Sequence, residues 1–356
     1  MLKYLGSKRT LVPVLGEIAT RVGATTALDL FTGTTRVAQE LKRRGLHVTA
    51  HDLATYSEVL AQCYVATDAA DVDHAELAEH LARLDALPGR RGYVTETFCE
   101  RSRYFQPHNG ERIDAIRDAL DESHAGTPLY PVLLTSLLLA ADRVDSTTGL
   151  QMAYLKQWAP RASGRLTLRV PELLPGLGLA LRGDAVESTR TLPPVDLAYL
   201  DPPYNQHRYF TNYHVWETLV RWDAPEAYGI ACKRVDARDP ATMSAFNRKR
   251  EMPTALAGVI RDVRAEVVVV SYNDESWVGV EEMTGWLRDA GHEEVGVLAF
   301  DRKRYVGAQI GIFNPAGEKV GRVSHLRNQE FVFVAGPRDK VAEAMAVGEG
   351  AVPVGA

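Results

Sequence analysis

Four residues able to do chemistry stand together at Asp201-Pro202-Pro203-Tyr204, directly after the apolar run "VDLAYL" (195–200). The run has strand character, and the prolines must stop it. Proline cannot donate to a β-ladder, and it forces the residue before it out of helical conformation. A carboxylate, a stiff extended backbone and an aromatic ring therefore gather at the mouth of one strand. Two further acids are placed in the same way. "TTALDLFTGTT" (25–35) rises through apolar residues to Asp29 and breaks at Gly33, and "LHVTAHDLA" (46–54) ends at Asp52. In open α/β sheets ligands sit beyond the carboxyl ends of the strands, so Asp29, Asp52 and Asp201 are expected to line one crevice. Any one of them is also an ordinary loop aspartate. Three of them, with a glycine-bearing first turn, point to a nucleotide-like ligand.

Two common nucleotide motifs are disfavoured. "DLFTGTTRV" carries a single glycine and is not the G-x-G-x-x-G turn of nicotinamide-dependent enzymes. "GSKRT" (6–10) contains G-x-K-x-T, but it lacks the earlier glycine and the leading strand of a phosphate loop, which argues against NTP hydrolysis.

The elements that position these residues follow from periodicity. Between the first two strands, "RVAQELKRRG" (36–45) pairs Val37 with Leu41 and closes on Gly45, the pattern of a short amphipathic helix with a glycine cap. Strand, helix and strand in some thirty residues make a βαβ unit. The expected fold is α/β: a doubly wound, Rossmann-like sheet with an inserted, mainly helical domain. The insert is marked by "HAELAEHLARLDAL", "GERIDAIRDALDE" and "PVLLTSLLLAADRV", a stretch too long to be a loop. The sheet resumes near "LALRGDA" (179–185), and "AEVVVVSYNDE" (265–275) is a strand buried on both faces. "EVGVLAFDRKRYVGAQIGIF" and "NQEFVFVAG" alternate as antiparallel strands near the sheet's edge. The expected division is residues 1–58 and 178–337 for the sheet domain, 59–177 for the insert and 338–356 for a flexible tail.

Composition narrows the function classes. The 356 residues are 46% apolar and 24% charged, enough for a packed core. Net charge is −5, so any nucleic-acid surface has to be a local patch. Cys63, Cys99 and Cys232 show no metal-ligand spacing and fit a reducing compartment. The longest apolar stretch, 131–141, is about half of what a bilayer span needs, and no signal-peptide pattern follows the basic N-terminus. A cytoplasmic protein is expected.

The motifs, taken in order, resemble the DNA adenine (amino) methyltransferase family. "YLDPPY" is similar to its catalytic signature, "KYLGSK" (3–8) to its N-terminal cofactor motif, "DLFTGTT" to its first glycine loop and "RGDA" (182–185) to a later cofactor-contacting turn. The order, with a long insert before a late DPPY, resembles the alpha arrangement, and "DPPYNQHRYFTNYH" resembles the continuation in modification methylases of that group. The resemblance covers roughly residues 1–55 and 180–335. It departs from the family at Ser7 and Thr35, where a second glycine is frequent.

The resemblance implies S-adenosyl-L-methionine as methyl donor. Asp29, Phe31, Thr32, Gly33 and Thr34 would hold its methionine end. Lys3, Tyr4, Gly6, Ser7 and Lys8 would close over it, Asp52 would take the ribose hydroxyls, and Asp184 would face its adenine. Asp201, Pro202, Pro203 and Tyr204 would be catalytic. The Asp201 carboxylate and the Pro202 carbonyl accept the two N–H bonds of an adenine amino group, and Tyr204 stacks on the extruded base. Neither a metal nor a covalent intermediate is required.

Double-stranded DNA is the implied partner, with a cognate restriction enzyme as a further one. Between Asp145 and Glu172 there is no acid, while Lys156, Arg161, Arg165 and Arg169 fall there with Tyr154 and Trp158. Cations interleaved with aromatics suit phosphate contact, though they also suit a solvated face. Arg101, Arg103 and Arg112 form a second cluster, and "RKR" occurs at 248–250 and 302–304. His207, Arg208, Tyr209 and Asn212 are expected beside the flipped base. Lys156, Arg161, Arg165, Arg208 and Tyr209 are the DNA-binding candidates. Methylation at cytosine N4 and a non-catalytic DNA-binding regulator of the same fold remain the alternatives.

Overall fold

Apolar alternation in the strand segments is what builds the sheet. In the computed structural model, which describes residues 2–3, 8, 10–203, 208–274, 276–303 and 327–347, seven of the described strands share one sheet. They are β1 (Thr26–Asp29), β2 (His47–Asp52), β3 (Gly178–Arg182), β4 (Val195–Leu200), β5 (Ala265–Asn273), β6 (Glu294–Lys303) and β7 (Arg327–Gly336). Their order is β3-β2-β1-β4-β5-β7-β6. The first five are parallel, and β7 runs antiparallel between β5 and β6.

Period-two alternation sends successive residues to opposite faces. Leu197, Tyr199, Val267, Val269, Val332 and Val334 share one apolar cluster with residues of the helices Val12–Arg21 and Arg36–Arg43. Ala198, Leu200, Val268 and Val270 join a second cluster with the helices Met252–Asp262 and Val280–Asp289. Covering both faces makes the sheet doubly wound, and it explains the unbroken valine run in β5.

The flexible tail expected from residue 338 is corrected in its first part. Arg338–Met345 form a helix, and Val341, Ala344 and Val347 are buried in the first of these clusters. Three small apolar residues at helical spacing suffice where a sheet face lies ready to receive them. Residues 348–356 lie outside the described part.

The insert contains the helices His74–Asp85, Pro107–His124 and Tyr130–Val144. The last is buried along most of its length, and no helix of the described residues is long and apolar enough to cross a membrane. Its core does not stop at the limits 59–177. Leu2, Tyr56, Tyr213, Trp216, Leu219 and Cys232 pack into the same cluster as Phe98, Ile113 and Leu137. The segment after DPPY thus returns to the helical unit and ties it to the sheet.

Candidate active site

The site lies where the strand order reverses, between β1 and β4. Register places its acids. Asp29 pairs with Ala50 on one side and Tyr199 on the other, so Asp52 and Asp201 each project two residues beyond it. Past Leu200, the last ladder-paired residue of β4, the chain leaves the sheet through Asp201, Pro202 and Pro203.

A tight turn follows β1. Gly33 has φ +53°, and Thr35 has φ +63°, the left-handed region that favours glycine. Thr35 therefore holds a glycine's conformation, at a cost of about 1–2 kcal/mol. Local bonds compensate: its N–H donates to Thr32 O (2.7 Å), and its hydroxyl accepts from Gln39 Nε2 (2.8 Å). The turn is strapped to β2, with Thr32 N on His51 O (3.0 Å) and Gly33 N on Asp52 Oδ2 (2.8 Å). Asp52 Oδ1 accepts from Ala54 N (3.0 Å). His51 Nδ1 contacts Leu30 O (3.1 Å) and its Nε2 contacts Ser188 Oγ (2.8 Å), so the ring joins the first turn to the short helix after β3. Asp184 caps the helix Ala185–Ser188 through Val186 N (2.8 Å).

These loops surround a cavity of about 440 Å³, within the usual range for small-molecule sites. Phe31, Asp52, Asp184, Asp201, Arg208 and Tyr209 are among its lining residues. Asp29 sits behind that lining and is 1% exposed. Its Oδ2 accepts from Thr32 Oγ1 (2.8 Å) and Ala38 N (3.1 Å), while Oδ1 has no hydrogen-bond partner among the described residues. Burial pushes its pKa up to about 7, with the charges of Asp201 and Asp52 acting in the same direction. Burial also raises Asp52, against the N–H bonds from Ala54 and Gly33. Lys8 brings a buried cation to this acidic site: its Nζ lies 3.0 Å from Asp201 Oδ1 and also pairs with Glu330 Oε1.

Not every expected residue joins this group. Lys3 points to the insert, pairing with Asp145 (2.7 Å) and Asp142 (3.7 Å). Tyr4, Gly6, Ser7, Tyr204 and His207 lie outside the described residues. Lys156 is exposed. Arg161 pairs with Asp145 (2.7 Å) and Arg165 with Asp85 (2.9 Å), so an acid at the margin of the run and one distant in sequence meet the stretch that looked acid-free. Arg112 is buried against Asp85 (3.1 Å) and the carbonyls of Leu166 and Leu87. Arg208 donates to Ala237 O (2.5 Å). Tyr209 begins an aromatic series: its ring lies 6.3 Å from Tyr213, which stacks on Trp216 at 4.5 Å.

The sequence reading missed Phe246, Glu217 and Glu330. Phe246 lines the cavity with its ring edge-on to Phe31 at 5.0 Å, and it sits in a short 3₁₀ turn with no periodic signal. Glu217 lines the cavity from a helix, where it looks like any helical glutamate. Glu330 did leave a trace, since it shares the buried parity of Val332 and Val334 in "NQEFVFVAG".

Residues 4–285 match the family described as D12 class N6 adenine-specific DNA methyltransferase. The chain belongs to that family. It is also 30% identical over 297 residues to Type II methyltransferase M.NlaIII of Neisseria lactamica, covering 79% of this chain and 86% of that one. Type II methyltransferase M.CviAII of Paramecium bursaria Chlorella virus 1 is 30% identical over 319 residues, covering 86% and 94%. The methyltransferase is accordingly a site-specific enzyme that methylates adenine N6 in DNA. Membership sets aside the cytosine N4 and regulator alternatives. It also makes a methyl donor a requirement of the site.

Proposed function

We propose that the donor is S-adenosyl-L-methionine and that the target adenine is turned out of double-stranded DNA to meet it at Asp201. The observation that carries this reading is that Asp201 opens on the same cavity as Asp52, Asp184 and Phe31. The residues fit a zwitterionic nucleoside. The unpartnered, buried Asp29 Oδ1 suits an ammonium, Asp52 suits the ribose hydroxyls, and Asp184 and the Phe31–Phe246 pair suit a purine. When bound, S-adenosyl-L-methionine supplies an electrophilic methyl group on a sulfonium.

The protein's own part is to prepare the amine. An adenine amino nitrogen is a poor nucleophile because its lone pair is delocalised into the ring. Asp201 and the Pro202 carbonyl each accept one of its N–H bonds, which turns the nitrogen toward tetrahedral geometry and localises the lone pair. The two prolines keep the carbonyl rigid and outside the ladder. By the family resemblance Tyr204 would stack on the extruded ring, and Arg208 and Tyr209 line the cavity that the ring enters. Fixing two reactants in this way lowers a barrier by on the order of 7–11 kcal/mol.

Lys156 and Arg103 offer phosphate contacts at the insert, with Arg103 packed over Trp158 at 4.8 Å. Arg161 and Arg165 can contribute by turning from their acid partners toward phosphate. The relatives' description as type II methyltransferases supports a cognate restriction enzyme as partner.

The test is mass analysis of nucleosides from duplex DNA incubated with the protein and methyl-labelled S-adenosyl-L-methionine. Label in N6-methyladenine is expected, confined on sequencing to one short motif. Label in methylcytosine, or none in DNA, overturns the reading.

A further inference from the structure

We propose that Glu330 is a positioning residue for methyl transfer, clamping Lys8 so that Lys8 orients the Asp201 carboxylate. Glu330 lies on β7, far along the chain from the DPPY corner and beyond residues 4–285 that match the family. It faces Asn273 of β5 and Phe300 of β6 in the ladder. Its parity puts it with Val332 and Val334, whose cluster includes residues of the helix Val12–Arg21. Lys8 stands four residues before that helix, so its side chain comes over the same face. Both groups are almost sealed from solvent, Lys8 at 6% and Glu330 at 4% exposure.

Packing alone does not account for this arrangement. An apolar residue at 330 would continue the valine face, and a buried ion pair is seldom more stabilising than well-packed apolar side chains. What the second acid changes is the state of Lys8. An ammonium paired with Asp201 alone would draw fully on that carboxylate and weaken it as an acceptor. Shared between Asp201 Oδ1 and Glu330 Oε1, the ammonium is fixed from two sides, and the trio carries one net negative charge. The ion-pair contact at Oδ1 restrains rotation of the carboxylate about its Cβ–Cγ bond. The plane in which Oδ2 meets an amine is then set by Lys8, and Lys8 is set by Glu330.

This inference rests on the reading of Asp201 as the amine's acceptor, and the two fail differently. If Asp201→Asn retains turnover, the acceptor reading fails. If Asp201→Asn is inactive while Glu330→Gln has wild-type kcat, only the role of Glu330 fails.

The experiment measures steady-state kinetics on duplex DNA together with thermal unfolding. Glu330→Gln should lower kcat about 10- to 100-fold, the scale of a small misplacement of a reacting group. KM for DNA and for S-adenosyl-L-methionine should stay within about threefold, since neither Glu330 nor Lys8 is among the residues lining the cavity. Glu330→Asp, which keeps the charge and shortens the reach, should fall between wild type and Glu330→Gln. In a Lys8→Met background, adding Glu330→Gln should change kcat by less than about twofold, because Glu330 acts only through Lys8. Multiplicative losses in that cycle, or a raised KM with kcat intact, would overturn the proposal. Should Glu330→Gln fail to fold, Glu330→Asp decides: a lowered kcat with KM intact supports the clamp, and an unchanged kcat refutes it.

Discussion

The acids of the crevice and the arginines of the helical insert are partnered in different ways. In the crevice, Asp29 is buried with one carboxylate oxygen unpartnered among the described residues, and Lys8 serves two acids at once. In the insert, Arg161, Arg165 and Arg112 already have carboxylates at 2.7–3.1 Å. A buried polar atom without a partner is costly, and Asp29 Oδ1, directly behind the cavity lining, is one that a ligand in the cavity can complete. A surface cation with an acid beside it marks architecture, or at most a contact that must first be released.

Changing one charge at a time sharpens the contrast. The largest effect is expected for Asp201→Ala, which should lower kcat by about 10²–10³-fold or more, the loss typical of removing a group that stabilises developing charge. Donor affinity measured by calorimetry should move less than about threefold. A variant that still turns over would place the acceptor elsewhere.

Asp29→Asn comes next, with donor affinity about 10- to 100-fold weaker. The pH dependence has a definite sign. With its pKa raised to about 7, Asp29 is neutral below that pH and charged above it, and only the charged form pairs with an ammonium. Donor Kd should therefore rise as pH falls below about 7 and level off above it, while the Asn variant should be flat. Stability runs the other way. The folded group titrates at about 7 against the ordinary aspartate value of 3.8, so the folded state holds the extra proton between these pH values and loses stability as pH rises through them. Asp29→Asn should accordingly raise the Tm of ligand-free protein at pH 8. A lowered Tm there would mean that the group serves the fold more than the ligand.

In the insert the effects should be smaller. Arg161→Ala leaves the buried Asp145 with fewer donors and should destabilise the fold by about 1–3 kcal/mol in denaturant titrations. Lys156→Ala should alter stability by no more than about 0.5 kcal/mol. If Lys156 meets a phosphate, its loss should reduce the slope of log affinity against log salt by about 0.9. An unchanged slope would remove Lys156 from the DNA surface, and equal stability losses for the two variants would erase the distinction between them.

How much was legible in advance depended on the range of the interactions. β4 was expected at 195–200, where it lies, because an apolar run ending in Asp-Pro-Pro stops for local covalent reasons. The helix cap at Gly45 (φ +88°) was equally local. The conformation of Thr35 was not, since its left-handed backbone is held by bonds to Thr32 and Gln39 that residue type alone does not announce. The packed helix Arg338–Met345 escaped notice because its three buried residues gain their value only from the sheet face beneath them. The basic run 156–169 looked unpaired because Asp85 is distant in sequence and Asp145 lies just before the acid-free stretch.

The chain by itself determined its strands, their order of chemistry and the acids at their ends, since alternation, proline geometry and glycine turns act over a few residues. Only the tertiary structure decided which charges remain available. Whether Lys8 serves a cofactor or a carboxylate, and whether Arg161 faces phosphate or Asp145, depends on which segments the fold brings within about 3 Å, the range at which a hydrogen-bonded ion pair forms.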